Sequence, residues 1–275
     1  MYRRRTTLPP QKTPDLVTKL AYSREEKERP VLLNTTELKL NVSKNPNKIH
    51  SSTCICVLMN TADMLDIVSN NLSFLQSLFE KSFIVFVIET GNSAIEWCNR
   101  YENSLTIQTT FTDEYEKRNL YLKFVHENKI SFNYMVVIDP RIALTTPLKS
   151  ESFDFLRKDT DFNVMFANQT YKYYDIESLV DDKKQVYRID DMELKTKKIK
   201  HYQVHIPKNT GLIPVNSAFG GLAVYKTSVL NKDNKYTTDN HISFNLKISK
   251  AHGKMFIDSS FLIETNPNNS FLYEK

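Results

Sequence analysis

Glycine and cysteine are scarce in this sequence, and each shortage excludes a class of protein. Only five of the 275 residues are glycine, at positions 91, 211, 220, 221 and 253. Without a Gly-x-Gly-x-x-Gly turn after its first predicted strand, the chain does not fit an NAD-binding Rossmann enzyme. The three cysteines, Cys54, Cys56 and Cys98, show neither an even count nor CxxC spacing. We therefore expect reduced thiols in the core of a cytoplasmic protein.

Long apolar stretches and blocks of one charge are also missing. No run approaches the length of a transmembrane helix, so we expect no integral membrane segment. The basic start Met1–Arg5 continues with polar residues where a signal peptide has its apolar stretch. The net charge of +5 is spread along the chain, which argues against a nucleic-acid partner.

The first fifty residues differ in composition from the remainder. They are polar, with prolines at positions 9, 10, 14, 30 and 46 and a charged run over 24–29. After this stretch the apolar runs begin, and 16 Phe and 14 Tyr provide ample material for a core. We predict a polar N-terminal extension over residues 1–50 and one folded domain over residues 51–275.

Short apolar runs are separated by segments of helical length. We predict buried strands near residues 54–59, 83–88, 105–110, 134–139, 162–167 and 255–263. Helical spacing of apolar residues or helix-start signals predict helices near 65–80, 93–101, 112–126 and 239–250. Strands without alternation, separated by helices, indicate an α/β protein with a mainly parallel sheet covered on both faces.

Asp139 stands at the end of one of these buried runs, Tyr134–Ile138, and is followed by Pro140 and Arg141. Ligands of open α/β sheets bind at the carboxyl ends of the strands, where this carboxylate is predicted to lie. A carboxylate beside a guanidinium suits a ligand that carries both hydroxyls and phosphates. An ordinary surface Asp–Arg pair is the alternative interpretation.

Gly220 and Gly221 are adjacent within the strand-like run 215–225. Glycine in a strand interior usually marks a bulge or a close approach of the backbone to a ligand. Both interpretations stay open on the sequence.

Several segments, taken in order, resemble the GT-A-fold glycosyltransferases that use nucleotide-sugar donors. The segments are Arg118-Asn119, Val137–Asp139, Phe166–Asn168, Tyr173–Asp175, Phe219–Tyr225 and Asp239-x-His241. The resemblance covers about residues 52–266. It implies a GT-A, Rossmann-like fold: a mostly parallel central sheet flanked by helices, with a small antiparallel C-terminal part.

The resemblance also implies roles for individual residues. The nucleotide sugar would contact Asn60, Glu89, Arg118, Asn119, Asp139, Arg141 and Asn168. The acceptor side would include Tyr174, Asp175, Gly220 and Gly221, and Asp239 or a nearby carboxylate would deprotonate the acceptor hydroxyl.

The chief departure from the family pattern lies at Asp139-Pro140-Arg141, where relatives have Asp-x-Asp. A guanidinium cannot be a ligand of Mn²⁺ or Mg²⁺. Either Asp139 and His241 hold such a metal, or Arg141 binds the donor diphosphate directly and the enzyme is metal-independent. No organic cofactor is expected.

Two functions follow from this resemblance. The first is a glycosyltransferase that moves a sugar from a nucleotide-diphosphate sugar to a hydroxyl of a glycan, a protein or a small molecule. The second is a catalytically inactive GT-A-like protein that binds a nucleotide, a glycan or a protein partner.

Overall fold

The computed structural model describes residues 38–59, 65–128, 131–140, 146–158, 160–170, 175, 178–181 and 205–264. Three predicted site residues, Asn60, Arg141 and Tyr174, lie outside these ranges, as do residues 1–37 of the predicted extension.

The strands are β1 (Asn41–Val42), β2 (Ile49–Met59), β3 (Phe79–Glu89), β4 (Ser104–Thr109), β5 (Tyr134–Ile138), β6 (Val164–Gln169), β7 (Val180–Asp181), β8 (Leu212–Ser217), β9 (Leu222–Lys226) and β10 (Met255–Ile263). The helices are α1 (Leu65–Leu78), α2 (Ile95–Asn99), α3 (Glu114–Glu127) and α4 (Ile242–His252), with 3₁₀ turns at Ser150–Leu156 and Thr227–Val229. Within the described ranges, none of the helices has the length and apolar content of a membrane span.

One central sheet joins these strands in the order β4-β3-β2-β5-β9-β6-β10-β8-β7, with β1 beside β4 on the same edge of β3. Strands β4, β3, β2 and β5 are parallel to one another, and β6 is parallel to β10. The remaining pairs are antiparallel, including both pairs made by β9. The predicted α/β class, a central sheet flanked by helices, is confirmed, and an antiparallel strand lies at its centre.

Alternate residues of β2 enter two cores, one on each face of the sheet. Cys54 and Cys56 pack with apolar residues of α3 and α4, whereas Ile55 and Val57 pack with apolar residues of α1. Because both faces are covered, both sets are apolar, which explains the strand's lack of alternation. All three cysteines are buried and unpaired, as predicted.

The order in which successive strands are added to the sheet reverses beside β2. After β2 the chain adds β3 and then β4 on one side, and it returns to place β5 on the other side. The crevice beyond the carboxyl ends of β2 and β5 is therefore a topological switch point, the usual ligand position in open α/β sheets. Asp139 immediately follows β5, at the predicted edge.

The sheet also includes residues from the N-terminal side of position 51. Strand β1 pairs with Lys81 and Ser82 of β3, and β2 begins at Ile49, which pairs with Phe79. The Ser43 hydroxyl donates to the carbonyl of Ser77 at the end of α1, 2.6 Å away. Residues 41–50 are thus built into the folded body.

Candidate functional site

A small cavity lies at the switch point, with a volume of about 10 Å³, room for about one water molecule. Its polar lining comes from Arg118, Tyr121, Asp139 and His241. Three predicted site residues from three different parts of the chain are therefore brought together. A carboxylate, a guanidinium and an imidazole share one lining at the carboxyl edge of the sheet.

Arg118 is buried in the first half of α3. Its guanidinium donates to the Glu114 carboxylate and to the backbone carbonyl of Asp239, and it lies 5.6 Å from the centre of the Tyr236 ring. Burial alone would lower the pKa of Arg118, but its interactions with Tyr121 and then with the Glu114 carboxylate outweigh this effect, and the pKa is raised. Arg118 therefore stays protonated, in an ion pair with the Glu114 carboxylate.

His241 is buried and lines the same cavity as Arg118. Its ring stacks on Phe219 with centroids 3.6 Å apart, and its Nδ1 lies 3.1 Å from the Tyr236 hydroxyl. Burial, followed by the Arg118 charge, lowers the pKa of His241 well below its ordinary value, so the imidazole is neutral. Its Nε2 is buried and has no hydrogen-bond partner among the described residues.

Asp239, the predicted catalytic base, is exposed and lies at the start of α3. Its Oδ1 accepts a hydrogen bond from the backbone N–H of Tyr115, 3.1 Å away. The helix's own N-cap residue, Asp113, makes no side-chain capping bond. Asp239 therefore satisfies one of the unpaired amides that every helix start exposes, which gives this carboxylate a structural role.

Two further residues of α3 hold neighbouring segments. Lys117, buried, donates to the carboxylate of Glu89 at the end of β3. Asn119 bonds both backbone groups of Tyr236, its Oδ1 accepting from the N–H and its Nδ2 donating to the carbonyl, each at 2.9 Å. The face of α3 that carries Lys117, Arg118 and Asn119 is thus packed against the rest of the fold.

Gly220 and Gly221 form a turn between two strands. The run predicted as one strand is β8 followed by β9, and these strands pair with different neighbours. Both glycines are buried and have positive φ, 66° and 90°, a conformation that L-residues with a side chain rarely adopt. The bulge interpretation is corrected, because the chain changes its place in the sheet here.

The two remaining described site residues do not line the cavity. Asn168 is fully buried on β6, and its Nδ2 donates to the carbonyls of Ile206 and Ser259 at 3.0 and 3.2 Å. The carbonyl of Asp175 accepts from the backbone N–H of Ser178. The structure gives Asn168 contacts that join segments of the fold.

The described residues do not fit a divalent cation by themselves. Asp139 and His241 offer one carboxylate and one imidazole, and the buried Arg118 guanidinium shares their cavity lining. Within the described ranges there is no group of three or more His, Cys, Asp or Glu residues that could hold a metal ion. A hard divalent cation requires more oxygen ligands than this pair supplies.

The sequence interpretation missed Tyr121 and Tyr236, whose hydroxyls lie 3.3 Å apart, with that of Tyr236 also in contact with Nδ1 of His241. Tyr236 belongs to the irregular segment 230–241 before α4, where no periodicity marks buried residues. No sequence signal could have identified its contact with His241, since that contact depends on how the segment packs on α3.

A scan against protein-family models and a search of curated proteins found no match. Solved structures with a similar fold include the mannosyltransferase PcManGT from Pyrobaculum calidifontis in complex with GDP-Man and Mn²⁺, at 12% identity and a TM-score of 0.49 over 92% of this chain and 66% of that chain. Another is the inositol-1-phosphate CTP transferase from T. maritima, at 13% identity and a TM-score of 0.45 over 83% and 95%. A third is CMP:2-keto-3-deoxy-manno-octonic acid synthetase complexed with CTP, at 7% identity and a TM-score of 0.42 over 79% and 92%. Because these TM-scores lie below 0.5, we infer function from the site itself.

Proposed function

We propose that this protein is a glycosyltransferase that moves a sugar from a nucleotide-diphosphate sugar to a hydroxyl acceptor. The observation that carries this proposal is the position of Asp139 at the switch point, where it shares a cavity lining with Arg118 and His241. A carboxylate suits the hydroxyls of a sugar or ribose, and a buried positive charge favours a diphosphate that gains negative charge as it departs.

On this proposal the donor side is the edge formed by the ends of β2, β3 and β5 and the first half of α3. The donor would contact Asn60, Glu89, Arg118, Asn119, Asp139 and Arg141, whereas Asn168 is fully buried and would act only through the fold. Lys117 would also contribute, because it holds the Glu89 carboxylate in place. Charge neutralisation of the leaving diphosphate would come from Arg141 and the field of Arg118, with no metal required.

The acceptor side on this proposal is formed by the glycine turn Gly220-Gly221 together with Tyr174 and Asp175. Asp239 would act as the general base on the acceptor hydroxyl, a role that requires hydrogen-bond reach of that hydroxyl. Its exposure is compatible with such access, while its bond to the Tyr115 N–H fixes its orientation.

One observation favours a second function, in which the protein binds a nucleotide, a glycan or a protein partner without catalysis. Asp239 already has a structural role as the capping group of α3, so its presence does not require catalysis. On that reading the site would bind its ligand without turning it over.

A thermal-shift panel of nucleoside diphosphates and nucleotide sugars, each with Mn²⁺ and with EDTA, tests the proposal. A ligand that binds only the folded state raises the melting temperature by mass action. We expect at least one nucleotide sugar to raise it in EDTA, and that donor to be consumed when acceptors are supplied. Binding without consumption would favour the non-catalytic function, and no binding in either condition would overturn both nucleotide-based readings.

A further inference from the structure

A second cavity, with a volume of about 400 Å³, lies between α1 and the segment formed by α2 and the residues that follow it. This volume falls within the range of sites for small molecules. Its lining includes Asn103, which precedes β4, and Asn41, which pairs with Ser82 near the start of β3. The cavity therefore reaches the amino ends of β3 and β4, whereas Asp139 lies at the carboxyl edge of the sheet.

Trp97 and Tyr101 supply the aromatic part of this lining. Their ring centroids are 4.8 Å apart, and the two rings lie 5.8 and 5.6 Å from that of Phe86. Phe86 is fully buried on β3, so this cluster fixes both rings before any ligand binds. Trp97 and Tyr101 are themselves only partly buried. They are thus a preorganised aromatic surface that loses little conformational entropy on binding.

The polar part of the lining comes mainly from one face of α1. Ser69, Ser73 and Gln76 have the spacing i, i+4 and i+7, which places them in one stripe along the helix. The side chains of Ser73, Gln76 and Asn103 make no hydrogen bond with any residue that the structure describes. Their hydroxyl and amide groups, which both donate and accept, are therefore available to a ligand.

The charges of the cavity balance. Among its described lining residues, Arg100 and Glu102 carry charge, one of each sign. This lining therefore lacks the arginine cluster that holds a phosphate and the acidic cluster that holds a cation. None of the described lining residues is aliphatic, whereas most small-molecule sites and grooves for helical peptides are largely apolar. These properties favour an uncharged ligand that is rich in hydroxyls.

We propose that the cavity between α1 and α2 binds an uncharged oligosaccharide. A sugar ring has an apolar C–H face, which packs on an aromatic ring, and a rim of hydroxyls that both donate and accept hydrogen bonds. Trp97 and Tyr101 match the C–H face, and Ser73, Gln76 and Asn103 match the hydroxyls. A proline-rich peptide also packs on aromatic rings, but its prolines have no N–H to donate to the amide oxygens of the lining.

This site does not depend on the proposed function, since its described lining shares no residue with that of the cavity at the switch point. The oligosaccharide would bind at the opposite edge of the sheet from the candidate donor site.

Fluorescence tests the proposal in the full chain, because Trp97 is its only tryptophan and lines this cavity. The probes are maltohexaose, cellohexaose and chitohexaose, with decaproline as the peptide probe. We expect at least one oligosaccharide to change the emission in a saturable manner and decaproline to leave it unchanged. No saturable change with any of the three sugars, or a change with decaproline alone, would overturn the proposal.

Two variants remove polar groups of the lining without straining the backbone. Gln76→Ala places a strong helix former in α1, and Asn103→Gly suits a residue whose φ is 55°. Each should weaken oligosaccharide binding about 5-fold, the effect of one lost hydrogen bond. The matched control is Asn70→Ala, which removes an exposed amide of α1 outside the described lining and should leave binding unchanged.

The same variants separate this site from the proposed function. Nucleoside diphosphate binding should be equal in Gln76→Ala, Asn103→Gly and the unmodified protein, and its loss together with sugar binding would overturn the assignment to this cavity. Equal sugar affinity in these variants and in Asn70→Ala would also overturn it. Oligosaccharide binding without any nucleotide binding would support the sugar site and overturn the glycosyltransferase proposal, whereas nucleotide-sugar binding without oligosaccharide binding would do the reverse.

Discussion

The backbone N–H of Asp139 donates a hydrogen bond to the carbonyl of Gly221 across 2.9 Å. This bond continues the antiparallel pairing of β5 with β9 by one step beyond the Ile138–Leu222 pair. The residue that follows one strand is thereby joined to the glycine that precedes the other. The backbone of Asp139 consequently depends on the conformation of the glycine turn.

Replacing Gly221 with alanine should disturb both the fold and the site. Its φ of 90° is strained for any residue with a side chain, so we expect Gly221→Ala to lower the free energy of unfolding by about 1–3 kcal/mol. Because the turn carries the acceptor of the Asp139 bond, we also expect weaker nucleoside diphosphate binding. Urea unfolding and a binding titration measure the two effects.

Gly211→Ala is the matched control for this backbone strain. Its φ is 87°, and a Cβ added there would meet no heavy atom within 4 Å. We expect a similar loss of stability from strain and no change in binding. Equal binding by the two variants would show that the turn does not support the site.

Arg118 should contribute more to stability than an exposed arginine on a comparable helix. Arg118→Met removes the ion pair with Glu114 and the hydrogen bond to the Asp239 carbonyl, and we expect a loss of roughly 1.5–3 kcal/mol in the free energy of unfolding. The control is Arg100→Met in the exposed pair with Glu96, 3.7 Å apart, where we expect a change within about 0.5 kcal/mol. Similar effects in urea titrations would contradict the packed role of Arg118.

Arg141 should replace a metal ion in binding the donor. A nucleoside diphosphate should bind in EDTA, and Arg141→Ala should weaken binding by about 1.5–3 kcal/mol, the size of a charge-assisted hydrogen bond. Arg141→Asp recreates Asp-x-Asp and should make binding respond to Mn²⁺, provided that other ligands complete the shell. Strong Mn²⁺ dependence of the unmodified protein in calorimetric titrations would contradict this assignment.

The thiols should be unreactive in the native protein. Burial raises the pKa of Cys98 to about 12 and that of Cys56 above its ordinary value, so very little of either thiol is the reactive thiolate at pH 8. We expect no reaction of the native protein with a disulfide reagent at that pH and reaction of all three cysteines in guanidinium chloride. Rapid native reaction of one thiol would show that the strand or helix that carries it opens locally.

Asp258 on β10 should make stability depend on pH. Burial raises the pKa of Asp258, so between the unfolded and folded pKa values the native state binds more protons than the unfolded state. Stability therefore falls as the pH rises through that window. Asp258→Asn should be more stable than the unmodified protein at pH 7, and the difference should vanish at pH values well below 3.8, as followed by thermal unfolding. A constant difference across this range would contradict the assignment to Asp258.

The individual strands of this fold could be predicted because each is marked by its own short stretch of sequence. The unalternating runs at Cys54–Met59 and Phe83–Ile88 are apolar on both faces of the strand, and the structure covers both faces. Asp139 was predicted at the carboxyl edge because it ends such a run, and the structure has it there.

Which strands pair with one another could not be predicted from such short stretches. Strand β9 looks like any other apolar run, and its antiparallel position between β5 and β6 depends on where the chain returns after more than fifty residues. The glycine pair was placed inside a single strand for the same reason, since the sequence has no local signal for a turn between two strands that pair with different neighbours. Tyr236 was missed because its hydroxyl meets His241 only after the irregular segment packs on α3.

Strand β9 has a consequence for folding kinetics. Among the described strands it alone connects the parallel group β4-β3-β2-β5 with the group β6-β10-β8-β7. The parallel group is contiguous in sequence, whereas β9 must close long loops to reach both neighbours, and loop closure of this kind slows folding. We expect the region from β2 to β5 to acquire structure first and β9 to dock last. The amides of β9 would then gain hydrogen-exchange protection only in the final phase of refolding.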